Sequence, residues 1–189
     1  MKLAFVCGAR GVGKTAILKE LERVHGTELD LRIIHSSQAM IELSTNMYKK
    51  PLMQLNKNEL FTVQSEIVKS IQSLPNRLVL FDTHHIKIDP EDRKITLLTP
   101  KAHGNNIDFH IVVEAEPQVI LARRVADPEQ SIKRSYNLEI IGLEIDAERK
   151  AAFQIAKETN SRVYIIKNET IDSSVEEITS ILRRELKDR

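Results

Sequence analysis

The chain has 189 residues, 41% of them hydrophobic and 29% charged, and its formal net charge is only +1. A protein so nearly neutral exerts no global pull on nucleic acid or on an acidic membrane, so any anion site must be local. The length fits a single domain, residues 1–189, with room for a small insertion, and no apolar run is long enough to span a bilayer.

The first segment, "KLAFVC", is a short apolar run that reads as a buried strand. Cys7, at its end, is the only cysteine. It cannot form an internal disulfide, which predicts a reducing, cytoplasmic setting. "MKLAFVC" is too short for a signal peptide. "KTAILKELERVHG" places Ile17, Leu18, Leu21 and Val24 at helical spacing and is expected to stop at Gly26. "LRIIHSS" reads as a second strand, "QAMIELSTNMY" as a helix, "KKP" as a basic turn, and "NKNELFTVQSEIVKSIQSLP" as a long helix with a proline stop. "RLVLFDT" is a third strand that ends on an aspartate.

Residues 84–106 look irregular, with Pro90, Pro100 and Gly104 among mixed charges. "DFHIVVEA" predicts a fourth strand, "EPQVILARRVA" a helix and "DPEQSIKRSYN" a polar loop. "DAERKAAFQIAKETN" predicts a helix, "RVYIIKN" a fifth strand, and "SSVEEITSILRREL" a closing amphipathic helix with serine at its start. Short strands alternating with helices predict an α/β fold, a five-stranded parallel sheet covered by helices on both faces. Ligands of such sheets bind at the carboxyl ends of the strands. The stretch between the second and third strands exceeds what one crossover needs. Residues of about 36–75 are therefore read as a small substrate-binding insertion.

Between the first strand and first helix lies "GARGVGKT". Gly8, Gly13, Lys14 and Thr15 stand at the spacing of a phosphate-binding loop, with Ala9, Arg10, Gly11 and Val12 between them. Glycines let successive N–H groups turn toward one anion, and the following helix adds its positive end. Lys14 is expected to be exposed to the β- and γ-phosphates of ATP, and the Thr15 hydroxyl to ligate Mg²⁺. Such a loop needs a carboxylate at a neighbouring strand end, and Asp82 supplies it. Phosphoryl transfer also needs cations around a charged transition state. Candidates are Arg10, Arg123, Arg124, Lys133, Arg134 and Arg149. For Arg124 and Arg149 a functional role and a solvated surface position are weighed evenly. His84, His85, His103 and His110 show no zinc-type spacing, although His84 follows Asp82 closely enough to border the site.

These residues resemble the archaeal-type adenylate kinases, a branch of the P-loop nucleoside monophosphate kinases. The resemblance rests on "GARGVGKT", "LFDTHHIKI", "IVVEAEPQVILARR", "ERKAAF" and "VYIIKNE" and covers nearly the whole chain. It implies a P-loop NTPase fold with an acceptor-binding insertion and a short lid, here about residues 127–138. It implies conversion of MgATP and AMP to two ADP, and leaves room for a homo-oligomer. Matched onto this chain, the catalytic set is Lys14, Asp82, Arg123 and Arg134. Thr15 and Asp82 would hold the metal. The donor nucleotide would be held by Gly8 to Thr15, Arg124 and Asn168.

The chain departs from the family pattern in two places. Ile132 stands where the lid tends to carry a second arginine, and the acceptor region offers only Lys49 and Lys50. A lysine lacks the bidentate fork of arginine. Alternative readings are therefore a kinase with a different small-molecule acceptor, or an ATP-binding, slowly hydrolysing regulatory module.

Overall fold

Five strands, β1 (Lys2–Cys7), β2 (Leu31–His35), β3 (Leu78–Asp82), β6 (Phe109–Glu114) and β7 (Arg162–Lys167), form one parallel sheet in the order β2-β3-β1-β6-β7. The computed structural model describes residues 1–89, 94–97, 107–127 and 135–187. Along each central strand the side chains alternate between two cores, as a period of two requires. Ala4, Val6, Leu78 and Leu80 face one apolar cluster, which they share with Leu18 and Leu21 of α1 (Lys14–Leu29) and Ile178 and Leu182 of α6 (Ile171–Lys187). Leu3, Phe5, Val79 and Phe81 face the other, shared with Val63, Ile67 and Ile71 of α3 (Lys57–Gln72). Both faces being covered explains why these strands are almost continuously apolar.

Between β2 and β3 the chain forms α2 (Ser36–Tyr48), a single 3₁₀ turn at Leu52–Gln54 and α3. Asn56 starts α3 with a capping box. Its side chain accepts the N–H groups of Asn58 and Glu59, and Glu59 reaches back to the Asn56 N–H. After β6 come α4 (Pro117–Ala126) and α5 (Leu138–Thr159).

Several boundaries differ from the sequence reading. Helix α1 passes through Gly26 and ends at Asp30, in the left-handed region at φ 47°. The Asp30 carboxylate accepts from Asn76 Nδ2 and the Arg77 N–H, both at 2.9 Å. A partner 46 residues away, not a local glycine, decides that stop. Strand β2 ends at His35, and Ser36 and Ser37 already belong to α2. Helix α5 starts at Leu138, ahead of the expected Asp146. Asn137 caps it by accepting from Glu139 and Ile140, and Ile141 and Ile145 bury into the core around Gly142. Helix α6 begins at Ile171, with Thr170 Oγ1 accepting the Ser173 N–H. The stretch expected to be irregular contains an antiparallel pair, β4 (Ile86–Ile88) with β5 (Ile95–Leu97), seated through Ile86 on Ala147 and Ala151 of α5. Three-residue strands are too short to carry a periodic signal.

A small aromatic nest lies against β1. His110 is fully buried, with its ring 5.8 Å from Phe5 and 5.4 Å from His85. Among the described residues neither His110 ring nitrogen has a hydrogen-bond partner. Burial pushes His85 down to about 4 and His110 down to about 3, from an ordinary value of 6.5. Unfolding releases these rings to water, where they bind protons below pH 6.5. Their contribution to stability is thus complete above pH 6.5 and declines as the pH falls toward 3–4. Each proton withheld from the folded state costs about 1.4 kcal/mol per pH unit in that window. Urea denaturation at steps from pH 7 to 4 should show this slope, and His110→Met should flatten it by about one proton. An unchanged slope would place the acid sensitivity elsewhere.

Candidate active site

Strand β1 delivers the chain to the phosphate loop at Cys7, in the middle of the sheet edge where strands end. Gly8 (φ 146°) and Gly13 (φ 98°) have conformations that side chains resist. A Cβ on Gly8 would lie closer than 3.0 Å to the Val113 carbonyl oxygen, and one on Gly13 equally close to Asn168 Nδ2. Gly11 backs onto the side chains of Arg124 and Ile120. The loop is fastened through its carbonyls. Val12 O accepts from Arg123 Nη1 at 2.7 Å and from Asn168 Nδ2 at 2.6 Å. Arg10 O accepts from Arg124 Nε at 3.0 Å and Nη2 at 2.7 Å. Ala9 and Val12 are buried beneath the loop. Gly13 then opens α1, so the N-terminal N–H groups and the positive end of that helix face the loop.

Lys14 is not exposed as expected. It is 7% exposed, its Nζ donates to Gly8 O at 3.1 Å, and it lies 3.9 Å from Asp82 Oδ1. Burial pushes its ammonium down from the ordinary lysine range, against the opposing pull of Asp82 and Glu148. Lys14 thus sits between a carbonyl at hydrogen-bonding distance and a carboxylate across a longer gap. Thr15 is exposed in the first turn of α1. Asp82 closes β3, and the sheet register sets it beside Val6 on one side and His35 on the other. His35 Nδ1 lies 2.9 Å from Asp82 Oδ2. Sequence reasoning passed over His35, although the same signal marked it: a polar side chain closing an apolar strand.

Helices α4 and α5 bring in four buried or part-buried charges, Arg124 from α4 and Glu144, Glu148 and Arg149 from α5. Arg124 is 1% exposed, so a solvated surface role is ruled out. Besides Arg10 O it donates to Ser135 O at 2.7 Å and to the Glu144 carboxylate, tying the phosphate loop to α5. Arg149 makes a two-pronged pair with Glu114 at the end of β6, at 2.5 and 2.6 Å. Glu148 is 2% exposed, accepts the His85 N–H at 3.0 Å and lies 3.3 Å from His84 Nδ1. Its carboxyl is held below the ordinary range by His84 and the His85 N–H, although burial acts in the opposite sense. Glu148 was missed because a glutamate in "DAERKAAF" looks like a solvated helix position.

A cavity of about 380 Å³ adjoins the loop, lined by Val119, Ile145, Arg149, Lys167 and Asn168 among others. Since Asn168 also holds Val12 O, the cavity and the loop share a wall. On the opposite flank Lys50 is engaged by Glu59 at 2.7 Å, and Lys49 ends α2 in the left-handed region. Arg134, Ile132 and Lys133 lie outside the described residues, as does most of the expected lid.

The family described as an AAA domain (AAA_17) matches residues 7–142 of this chain. Over its length the chain is similar to the adenylate kinase of Methanothermobacter thermautotrophicus, at 28% identity with 96% of this chain and 100% of that protein covered. It is similar also to the adenylate kinase of Methanocaldococcus jannaschii, at 28% identity with 96% and 98% covered. Among solved structures, a shikimate kinase from Bacteroides thetaiotaomicron superposes with a TM-score of 0.54 at 14% identity, covering 96% of this chain and 98% of that one. A gluconokinase from Sinorhizobium meliloti gives 0.53 at 12% identity, covering 99% and 94%. At such identities the likeness to these two is one of fold.

Arg124→Ala removes the bracket behind Arg10 and leaves Glu144 without its cation. Thermal and urea unfolding should show a loss of about 2–4 kcal/mol, larger than for a surface arginine. A stability within error of wild type would mean that the buried guanidinium does not hold the loop.

Proposed function

We propose, since the chain belongs to the AAA domain family (AAA_17), that it transfers the terminal phosphoryl group of MgATP to a nucleoside monophosphate, with AMP as the leading acceptor. The observation that carries this reading is the meeting of three strand ends. The phosphate loop follows β1, Asp82 closes β3 only 3.9 Å from Lys14, and Asn168 follows β7 on the back of the loop. The archaeal relatives named adenylate kinase support the choice of acceptor.

In this reading the inward N–H groups of residues 8 to 15 receive the donor phosphates. Lys14 leaves the Gly8 carbonyl for the more strongly negative β- and γ-oxygens. The adjoining cavity is large enough to take a base and ribose. Mg²⁺, when bound, offsets phosphate charge and fixes the geometry of the transferring group. The chemistry of the donor set suits it, since the Thr15 hydroxyl and the Asp82 carboxylate are hard oxygen ligands. Among the described residues no cluster of three metal-binding side chains stands in the site, so phosphate and water oxygens would complete the shell. An acceptor phosphate oxygen attacks the γ-phosphorus, the bond from that phosphorus to the bridging oxygen breaks, and ADP departs. Arg123 holds the loop through Val12 O and Arg149 lines the adjoining cavity, and Arg134 is proposed to join them from the lid.

A second reading, with a different small-molecule acceptor, draws on the acceptor side itself. Residues 36–76 contain no arginine, and Lys50 is already paired with Glu59. Monophosphate orientation depends on cationic forks, so AMP is expected to be used with a raised KM and a lowered kcat, at ordinary ATP affinity.

Incubation with MgATP and each nucleoside monophosphate in turn, with an acceptor-free control for ATP consumption, tests both readings. Conversion of AMP to ADP is expected. Lys14→Ala should lower kcat by about 10²–10³ with an unchanged circular dichroism spectrum. If no monophosphate accepts phosphate while ATP still binds, the monophosphate kinase reading fails and the other acceptor or the regulatory module takes its place.

A further inference from the structure

We propose that His35 is the positioning residue for Asp82, and that it makes this carboxylate a one-oxygen metal ligand. The inference rests on the reading above that the loop binds MgATP. A carboxylate can only accept, so at 2.9 Å from Asp82 Oδ2 it is His35 Nδ1 that carries the proton and donates it. That bond takes one lone pair of Oδ2 and fixes the plane of the carboxylate. The other oxygen, Oδ1, is the one turned to Lys14 and the phosphate loop. Magnesium takes single oxygens in octahedral array and retains several waters, so a carboxylate presenting one fixed oxygen suits it better than a freely rotating one.

The bond is built into the sheet. His35 and Asp82 are register partners on adjacent parallel strands, so backbone pairing alone brings the two side chains to one level. Both lie at the carboxyl ends of their strands. His35 is also the residue from which α2 starts, yet its ring makes no capping bond to that helix. Its polar edge is committed to Asp82 instead. A single imidazole therefore joins the metal-side carboxylate to the root of the segment read as the acceptor-binding insertion. Groups that orient metal-ligating side chains in this way typically change metal affinity by about 10–100-fold when removed.

The test uses Mn²⁺ as a paramagnetic stand-in for Mg²⁺. Free Mn²⁺ is counted by electron paramagnetic resonance during titration of the full-length chain saturated with a non-hydrolysable ATP analogue. His35→Ala should weaken Mn²⁺ binding about tenfold. His35→Asn, whose amide N–H can occupy the place of Nδ1–H, should recover affinity to within about threefold of wild type. Asp82→Asn should weaken binding at least as much as His35→Ala, and adding His35→Ala to it should cost nothing more, because the imidazole acts only through that carboxylate. Wild-type affinity in His35→Ala would overturn the proposal. So would an equal loss in His35→Asn, which would assign the effect to packing at the start of α2, and so would additive losses in the double variant. Failure of the wild-type chain to bind the analogue at all would overturn the nucleotide reading as well, which separates the two failures.

Discussion

The site depends on how the carbonyl groups of the phosphate loop are held. A peptide has two polar sides, and when its carbonyl is bound from behind its N–H is left to face the other way. Arg123 and Asn168 hold Val12 O, and Arg124 holds Arg10 O twice. These donors come from α4 and from the end of β7, more than a hundred residues beyond the loop. The backbone of the loop is thereby fixed from behind by donors of distant elements.

Helix α5 carries that order outward. Through Glu144 it engages Arg124, through Arg149 it engages Glu114 at the end of β6, and through Glu148 it engages His84 and the His85 N–H beyond β3. Each pair gives up hydration, which offsets much of its attraction, so the pairs are weak reasons for stability. Their geometric effect is larger. Residues on one helix fix the chain after three different elements, at the edge where β1, β3 and β6 end. The neutral pair His85 and His110 lies under the same edge, packed on Phe5. Burying these ring nitrogens gives up hydration at any pH, and the cost grows when the pH falls and water can offer the rings a proton.

The segment between β2 and β3 is built differently. Helix α3 buries Val63, Ile67 and Ile71 on the sheet and α2 packs Ala39, Met40 and Leu43 against the same cluster, while Lys50 is already answered by Glu59. The loop thus rests on long-range hydrogen bonds, and the segment between β2 and β3 on packing. Between them stands the His35–Asp82 bond, one residue from the core and one from the insertion's edge.

The strands were legible in the sequence because burial on both faces makes them continuous apolar runs, and the loop was legible because Gly8 and Gly13 combine a positive φ with backbone and side-chain neighbours that leave no room for a Cβ. Asp82 could be read because a charge that ends an apolar strand has few structural reasons to be there. His35 carried the same signal more faintly, and its pairing with Asp82 follows from register, which no local pattern states. Glu148 and Glu144 were hidden because a charged residue on a helix looks solvated until another element covers it, and the same ambiguity left Arg124, named as a candidate, evenly weighed between site and surface. The stop of α1 at Asp30, the early start of α5 and the short β4–β5 pair belong to the same class. Local chemistry, set by backbone conformation and apolar spacing, was therefore determined by the sequence itself. Which charges are buried, which carbonyls are held and which strand ends meet was decided by the tertiary structure alone, because those contacts join residues that only folding brings within hydrogen-bonding distance.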